Sequence, residues 1–525
     1  MADILRNVSI VAATTMLSRC LGLLRDVLLF AFLGTGAVSS AFILAFTLPN
    51  LFRRLLGEGA LSSASIPVLT EVRERSGEVA FGRLLNAVLT RLAAVLGLIM
   101  VAAWGLLSFV SLYEGFPERV YLGARLTQWL LPYLGFVCLA ALVGAALNIQ
   151  RRFLSPALSP VWLNLAMIAA LLLGFTGWVD SMETHVLWLC GGVLLGGALQ
   201  LLVPGADLFR TGWRPKIVPG SVEGLGKVFQ LLIPGLVGAA VFQVNILVSR
   251  FLAFSLDDTA AGVLYLAARL VELPLGVFAI AVSTVLFPEL ARLRTNADAR
   301  GFAEVYARGL RITFFVTLPA AVGLAVLAGP ILQLLFAWGR FGAADVALTR
   351  MPLAVAAAGI PFYAWIGLAV RAFHARQDMR TPVGLAVVNL VLNLILSLIL
   401  MGPFGATGLA LANVLASAAH ALALEWVLRR REGVMGALGA FTGLRAYASI
   451  TGVSLLMGSL ILAGDIALGG MGLMTDRLGS FVRVVLFIPT GMLFYAGAMW
   501  LLRAEDLRML GHRIRGRRNA KDFLN

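Results

Sequence analysis

Charge is scarce in this sequence: Asp, Glu, Lys and Arg together make up 13% of its 525 residues, about half of what a soluble domain carries. A surface so poor in charge cannot be kept in water, which excludes a soluble globular protein. Cysteine is nearly absent too. Cys20, Cys138 and Cys190 all fall inside apolar runs with no paired spacing, so neither a disulfide framework nor a zinc site is indicated. The four histidines, His185, His374, His420 and His512, are scattered and form no metal motif. A nucleotide loop is also lacking, because Gly224-Leu225-Gly226-Lys227 has neither the upstream glycine at the right offset nor a following Ser or Thr. With no nucleophile–base constellation either, the reading is that the chain is not an enzyme.

What is present is apolar. Hydrophobic residues make up 60% of the chain and the mean hydropathy is +0.91, so the solvent is lipid. The apolar runs are continuous, without the alternation that a barrel strand needs. The expected fold is an all-α integral membrane protein of about fourteen transmembrane helices, at roughly 20 apolar residues per crossing. The spans fall near 8–33, 38–70, 84–110, 121–149, 157–177, 184–208, 224–254, 261–290, 303–328, 346–372, 381–401, 406–428, 443–464 and 480–502. The first of them carries charges and lacks a small-residue cleavage site, so it does not read as a removable signal peptide. In the last two, Arg445 and Arg483 lie near the span ends, from where they can snorkel to the headgroups.

The net charge of +15 would suggest nucleic acid in a soluble protein. Here the loops explain it. Alternate loops carry Arg73, Arg75 and Arg83, Arg151 and Arg152, Arg210, Arg214 and Lys216, Arg292, Arg294 and Arg300, Arg376 and Arg380, and Arg429 to Arg431, as the tail carries Arg513, Arg515, Arg517, Arg518 and Lys521, while the loops between them are nearly free of Lys and Arg. By the positive-inside rule the basic set is cytoplasmic, and with an even number of spans both termini are cytoplasmic.

A weak repeat divides the chain. A shift of 221 residues lays Ala60, Ser62 and Pro67 on Ala281, Ser283 and Pro288, and a shift of 226 lays Ser155-Pro156 on Thr381-Pro382. The expected organisation is a six-helix lobe over 1–220, a second over 221–432, two further helices over 433–505, and a basic cytoplasmic tail over 506–525. Copies separated by an even number of helices have the same orientation, and transporters place substrate at the interface of such repeats.

Three spans are not ordinary apolar helices. In the first, Thr15, Ser18, Arg19, Gly22, Arg25 and Asp26 recur at helical spacing and share one stripe. The second carries Asn50, Arg53, Arg54, Gly57, Glu58, Ser62 and Ser65 just after Pro49, and the eighth carries Tyr265, Arg269, Glu272 and Gly276 beside Pro274. A charge at bilayer depth costs at least about 2.5–3.5 kcal/mol. Ion pairs formed only for packing account for some of these residues, but Arg19, Arg25, Arg53, Arg54 and Arg269 outnumber Asp26, Glu58 and Glu272. A cationic surplus in a low-dielectric cavity calls for an anion. Arginine suits phosphate, because its planar fork donates two parallel hydrogen bonds and stays charged at any working pH.

The segments SRCLGLLRD and AFILAFTLPNLFRRLLGEGALSSASIPVLTE, then YLAARLVELPLGVFAIAVSTVLFPELARL and FHARQDMRTP, resemble the lipid II flippase family called MurJ or MviN, and the resemblance runs through essentially the whole chain. It implies a fourteen-helix protein of the bacterial inner membrane, related to multidrug and polysaccharide exporters. Such a protein moves the undecaprenyl-pyrophosphate-linked disaccharide pentapeptide, lipid II, to the periplasmic leaflet for peptidoglycan synthesis. By the same resemblance, Arg19, Arg25, Asp26, Arg53 and Arg269 occupy the family's functional cavity positions. Membrane lipids and other cell-wall synthesis proteins are further candidate partners, and nucleic acid is not. The alternative reading is an exporter of another polysaccharide-linked lipid or of drugs. A drug exporter favours acidic or aromatic lining for organic cations, and a non-transporting scaffold needs no intramembrane charge at all.

Some members of that family also hold sodium between the seventh and eleventh helices, around carboxylates. This chain offers Asn245 in the seventh span and Asn389 and Asn393, one turn apart, in the eleventh. Amides supply oxygen without charge, so a weak cation site is expected, with no cofactor, and with a monovalent cation or the membrane potential as the coupling force. The glycines Gly191, Gly192, Gly196 and Gly197 of the sixth span read as close helix packing. His374 and His420 read as solvated or packed side chains.

Overall fold

The computed structural model describes residues 2–55, 61–113, 115–176, 181–276, 280–296, 298–432, 440–470 and 477–502. Every described element is a helix, and no strand occurs among the described residues. In chain order the helices are α1 (Ala2–Leu33), α2 (Ala37–Phe52), α3 (Leu61–Leu112), α4 (Glu118–Ile149), α5 (Leu154–Gly174), α6 (Met182–Phe209), α7 (Leu225–Leu256) and α8 (Ala260–Pro274). They continue with α9 (Ile280–Thr295), α10 (Ala299–Val326), α11 (Ala328–Phe336), α12 (Ala343–Ala358), α13 (Ile360–Ala375), α14 (Arg380–Glu432), α15 (Ala440–Gly470) and α16 (Arg477–Leu501). Among the described residues, nine helical stretches are long and apolar enough to cross a membrane. On α3 the side chains of Leu98, Val101 and Leu106 are each more than two-thirds exposed, a face that only lipid would cover without cost.

The helices differ from uninterrupted spans at points with a local cause. The second apolar span does not run through: α2 holds Pro49, which has no N–H to give the preceding turn, and Arg53 to Leu55 form a wide π-type turn. Gly57 and Glu58 lie outside the described residues, as does the 506–525 tail. In the eighth span, Pro274 closes α8 and Leu275-Gly276 again turn wide before α9 begins at Ile280. Gly359 parts α12 from α13, while Gly77 (φ 82°) and Gly405 (φ 56°) take left-handed conformations at sharp bends within α3 and α14. The short α11 has no counterpart among the spans expected from hydropathy.

The helices gather into two units, one formed by Met1–Gly262 with Trp338–Phe341, the other by Val263–Ala337 and Gly342–Asn525. In the first unit, α6 lies on α5 too closely for any side chain between them. A Cβ at Gly192 would stand 2.6 Å from the Cβ of Ala170, and one at Gly196 would stand 2.8 Å from the Cα of Leu163. A second core joins α3, α4 and α7 through Phe81, Leu84, Leu142, Leu147 and Val228. The segment between α6 and α7 is strapped onto α3. Arg91 donates to the carbonyls of Val218, Pro219 and Gly220, Asn86 donates to that of Arg214, and Thr90 Oγ1 accepts from the Val218 amide. Trp338–Phe341 lodges against the end of α1, where the Arg340 amide donates to the Ala31 carbonyl at 2.7 Å. Gly339 makes that approach with φ 61°, and a Cβ there would collide with the same carbonyl.

In the second unit, Leu290, Phe302, Phe373 and Leu424 form a core among α9, α10, α13 and α14. The last two helices pack on α10 and α11 around Ile450, Met457, Ile461 and Tyr495. Tyr495 donates to the Phe315 carbonyl at 2.9 Å. Arg483, expected to snorkel to the headgroups, instead faces Asp465 of α15 at 3.4 Å, with both side chains largely buried.

Candidate functional site

The polar stripe of α1 leads to one compact cluster. Arg25 is 7% exposed and Asp26 is fully buried. Adjacent residues on a helix do not face each other, but the long arginine curls back so that its Nε and Nη2 both donate to Asp26 Oδ1, at 3.0 and 2.6 Å. The Nη1 arm donates to Asn164 Oδ1 of α5 at 3.1 Å and lies 3.9 Å from the Met167 sulfur. Asn164 Nδ2 in turn donates to the Ser18 carbonyl at 3.1 Å. The buried guanidinium therefore has a charge partner and a neutral partner on opposite sides, which offsets much of its desolvation. Arg19 sits half-buried two turns nearer the N-terminus of α1.

On α2, Asn50 donates to the Phe46 carbonyl at 3.0 Å and accepts from Arg53 Nε at 3.3 Å. Arg53 is half-buried at the helix end, and Arg54, next along the wide turn, is exposed. Neither Arg19 nor Arg54 makes an ion pair among the described residues. Glu58, the expected acid of this stripe, lies outside them, and so does the Ser62 side chain. Ser65 is buried on α3.

The second unit holds the remaining predicted pair. On α8, Arg269 Nη1 donates to Glu272 Oε2 at 3.0 Å across one turn, with the two side chains 28% and 49% exposed. This pair is far wetter than Arg25 and Asp26 and costs less to separate. Asn389 and Asn393 lie one turn apart on α14, the latter buried, and Asn389 Oδ1 is buried with no hydrogen-bond partner among the described residues. Asn245 lies on α7 in the first unit. Among the described residues no group of three or more His, Cys, Asp or Glu could hold a metal ion.

Three polar groupings stand outside the stripes that the sequence pattern singles out. Asn164 is the lone amide of a 21-residue apolar helix, a signal the sequence does carry. Glu425 is buried at the end of α14 and accepts from Tyr306 at 2.6 Å, Trp365 at 3.3 Å and Arg429 at 2.7 Å. The third is the Asp465–Arg483 pair, whose partners are joined only by the hairpin geometry of α15 and α16.

Long apolar helices interrupted by wide turns, with the Arg25–Asp26 pair buried among them, define a polytopic helical membrane protein. The profile of the family described as Lipid II flippase MurJ matches residues 29–485; Arg19, Arg25 and Asp26 lie just before the matched stretch. The chain is 35% identical over 427 residues to a probable lipid II flippase MurJ of Vibrio cholerae, covering 78% of this chain and 80% of that one. It is 28% identical over 510 residues to the lipid II flippase MurJ of Burkholderia cenocepacia, covering 95% and 98%. A solved structure of lipid II flippase MurJ in an inward closed conformation has the same fold, with a TM-score of 0.78 at 24% identity, over 94% of this chain and 99% of that one. The chain belongs to the lipid II flippase MurJ family. It is accordingly a multi-pass inner-membrane transporter and not an enzyme.

Proposed function

We propose that this chain flips lipid II from the cytoplasmic to the periplasmic leaflet by alternating access, with the arginines of α1 and α2 taking the pyrophosphate. The observation that carries the reading is the surplus of arginine on those two stripes, Arg19, Arg25, Arg53 and Arg54 against Asp26 and Glu58, together with the burial of Arg25. Family membership and relatives described as lipid II flippases support the substrate. A pyrophosphate suits this lining because each guanidinium can give two parallel hydrogen bonds to neighbouring oxygens, and a dry setting strengthens each of them.

In this reading the headgroup crosses through the protein while the polyprenyl tail stays in lipid. The wide turns at Arg53 to Leu55 and at Leu275-Gly276 supply the bending points. Arg269 with Glu272 serves as a second anion contact, whose carboxylate yields the guanidinium when substrate arrives. Two amides on α14 hold a monovalent cation weakly, so the membrane potential supplies most of the drive. The deciding experiment is reconstitution into liposomes with fluorescent lipid II and a probe of its leaflet. Transfer of lipid II, with no transfer of organic cations or of a lipid lacking the pyrophosphate, is the expected result. Transfer of cationic drugs alone would instead indicate a drug exporter.

A further inference from the structure

Asn164 lies outside every motif that pointed to a substrate, yet its carboxamide is used at both ends in the Arg25 cluster. Oδ1 accepts from Arg25 Nη1 and Nδ2 donates to the Ser18 carbonyl, both at 3.1 Å. Chemistry fixes which end is which, since a guanidinium only donates and a carbonyl only accepts. Ser18 and Arg25 are both on α1, two helical turns apart, so one side chain from α5 spans the stretch of α1 that carries the stripe. Asp26 engages Nε and Nη2, and Asn164 engages Nη1.

We infer that Asn164 is a positioning residue for the anion site, fixing the plane and direction of the Arg25 fork. A bidentate fork recognises phosphate only in its own plane, so the direction of the guanidinium matters as much as its charge. The amide's neutrality matters as well. Arg25 and Asp26 already balance, and a carboxylate at position 164 would hold the arginine but turn the cluster net negative toward a phosphate. An alcohol there would be too short to reach both Ser18 and Arg25. Asn164 thus braces the Nη1 side of Arg25, anchored in turn on the Ser18 carbonyl, without repelling an anion.

The inference rests on the proposed function, and its test keeps the two apart. The full chain in nanodiscs is titrated with undecaprenyl pyrophosphate, and the thermal unfolding midpoint of each variant is recorded alongside. Asn164→Leu removes both bonds at similar volume and is expected to weaken binding about tenfold, the loss of one charge-assisted hydrogen bond. The same change should cost nothing more in an Arg25→Gln/Asp26→Asn background, which leaves no buried charge alone. Asn164→Asp keeps the acceptor and should weaken binding further than Asn164→Leu does, even with the wild-type unfolding midpoint. Should Asn164→Leu fail to fold, Asn164→Ser carries the same expectation of non-additivity. Wild-type binding by a folded Asn164→Leu or Asn164→Ser, or a loss that adds in full on the Arg25→Gln/Asp26→Asn background, overturns the positioning role. Wild-type binding by that background alone overturns the proposed function instead.

Discussion

The phenol of Tyr306 donates to Glu425 Oε2 across 2.6 Å, tying α10 to α14 inside the second unit. The same oxygen accepts from the Trp365 indole at 3.3 Å, and Oε1 accepts from Arg429 at 2.7 Å. Three helices thus meet on one buried carboxylate. Removing it strands a phenol and an indole N–H, each costing about 1–3 kcal/mol when left unsatisfied, whereas the half-exposed Arg429 recovers water.

Glu425→Ala is therefore expected to lower stability by about 2–6 kcal/mol, from those stranded groups, and Tyr306→Phe by about 1.5–3 kcal/mol for the single charge-assisted bond lost. Unfolding midpoints in detergent would rank them in that order. The flipping rate per folded molecule should stay at the wild-type value for Tyr306→Phe. Equal midpoints for both variants would show that the carboxylate is not what joins these helices.

Much of this architecture is legible in the order of residues alone. Continuous apolar runs determine the helical class, because lipid leaves no other use for them, and the glycines at 192 and 196 announce close packing of α6, though not that α5 is the partner. Hydropathy cannot see where the runs turn wide, since Leu275-Gly276 are as apolar as their neighbours and the wide turn depends on backbone geometry. The same holds within the site. Arg25 and Asp26 stand out as charges in an apolar helix, but Asn164 is 139 positions away and only tertiary packing makes them neighbours. Glu425 hides for the opposite reason, lying so near the Arg429 to Arg431 run that it reads as part of a solvated helix end. Arg91 carries no sequence signal of its role, yet its guanidinium is occupied with backbone carbonyls.

The loop charges predict that Gly36 and Asp258 face the periplasm and that Ser76, Asn296 and Asn519 face the cytoplasm. A Cβ added at the half-buried position 36 would meet no atom of a neighbouring element within 4 Å, so a cysteine fits there. On a cysteine-free background, an impermeant maleimide added to intact spheroplasts should label positions 36 and 258 and spare 76, 296 and 519. Labelling at 76 from that side would invert the topology.

Coupling follows from the donor set on α14. Asn389 and Asn393 bring amide oxygens and no charge, so sodium should bind weakly and transport should follow the membrane potential. In proteoliposomes, replacing sodium with choline at a fixed potential should leave lipid II transfer nearly unchanged. Dissipating the potential at fixed sodium should slow it strongly. Collapse on sodium replacement alone would contradict this assignment.

The arginines themselves give the sharpest prediction. A charge-assisted hydrogen bond is worth roughly 1.5–3 kcal/mol, so alanine at Arg25, Arg53 or Arg269 should each weaken headgroup binding about ten- to a hundredfold. The three should not behave alike in stability. Arg25→Ala leaves Asp26 buried without its guanidinium partner, which is strongly destabilising, whereas Arg269→Ala frees a carboxylate that is 49% exposed and should cost little. Lysine at 25 should rescue folding better than function, because a single ammonium can neutralise Asp26 but cannot hold Asp26 and Asn164 while presenting a planar fork. Growth with each variant as the sole copy, alongside its level in the membrane, tests function and folding together. If Arg53→Ala and Arg269→Ala, both present at wild-type levels, support growth and lipid II export as the parent does, the arginines do not bind the pyrophosphate.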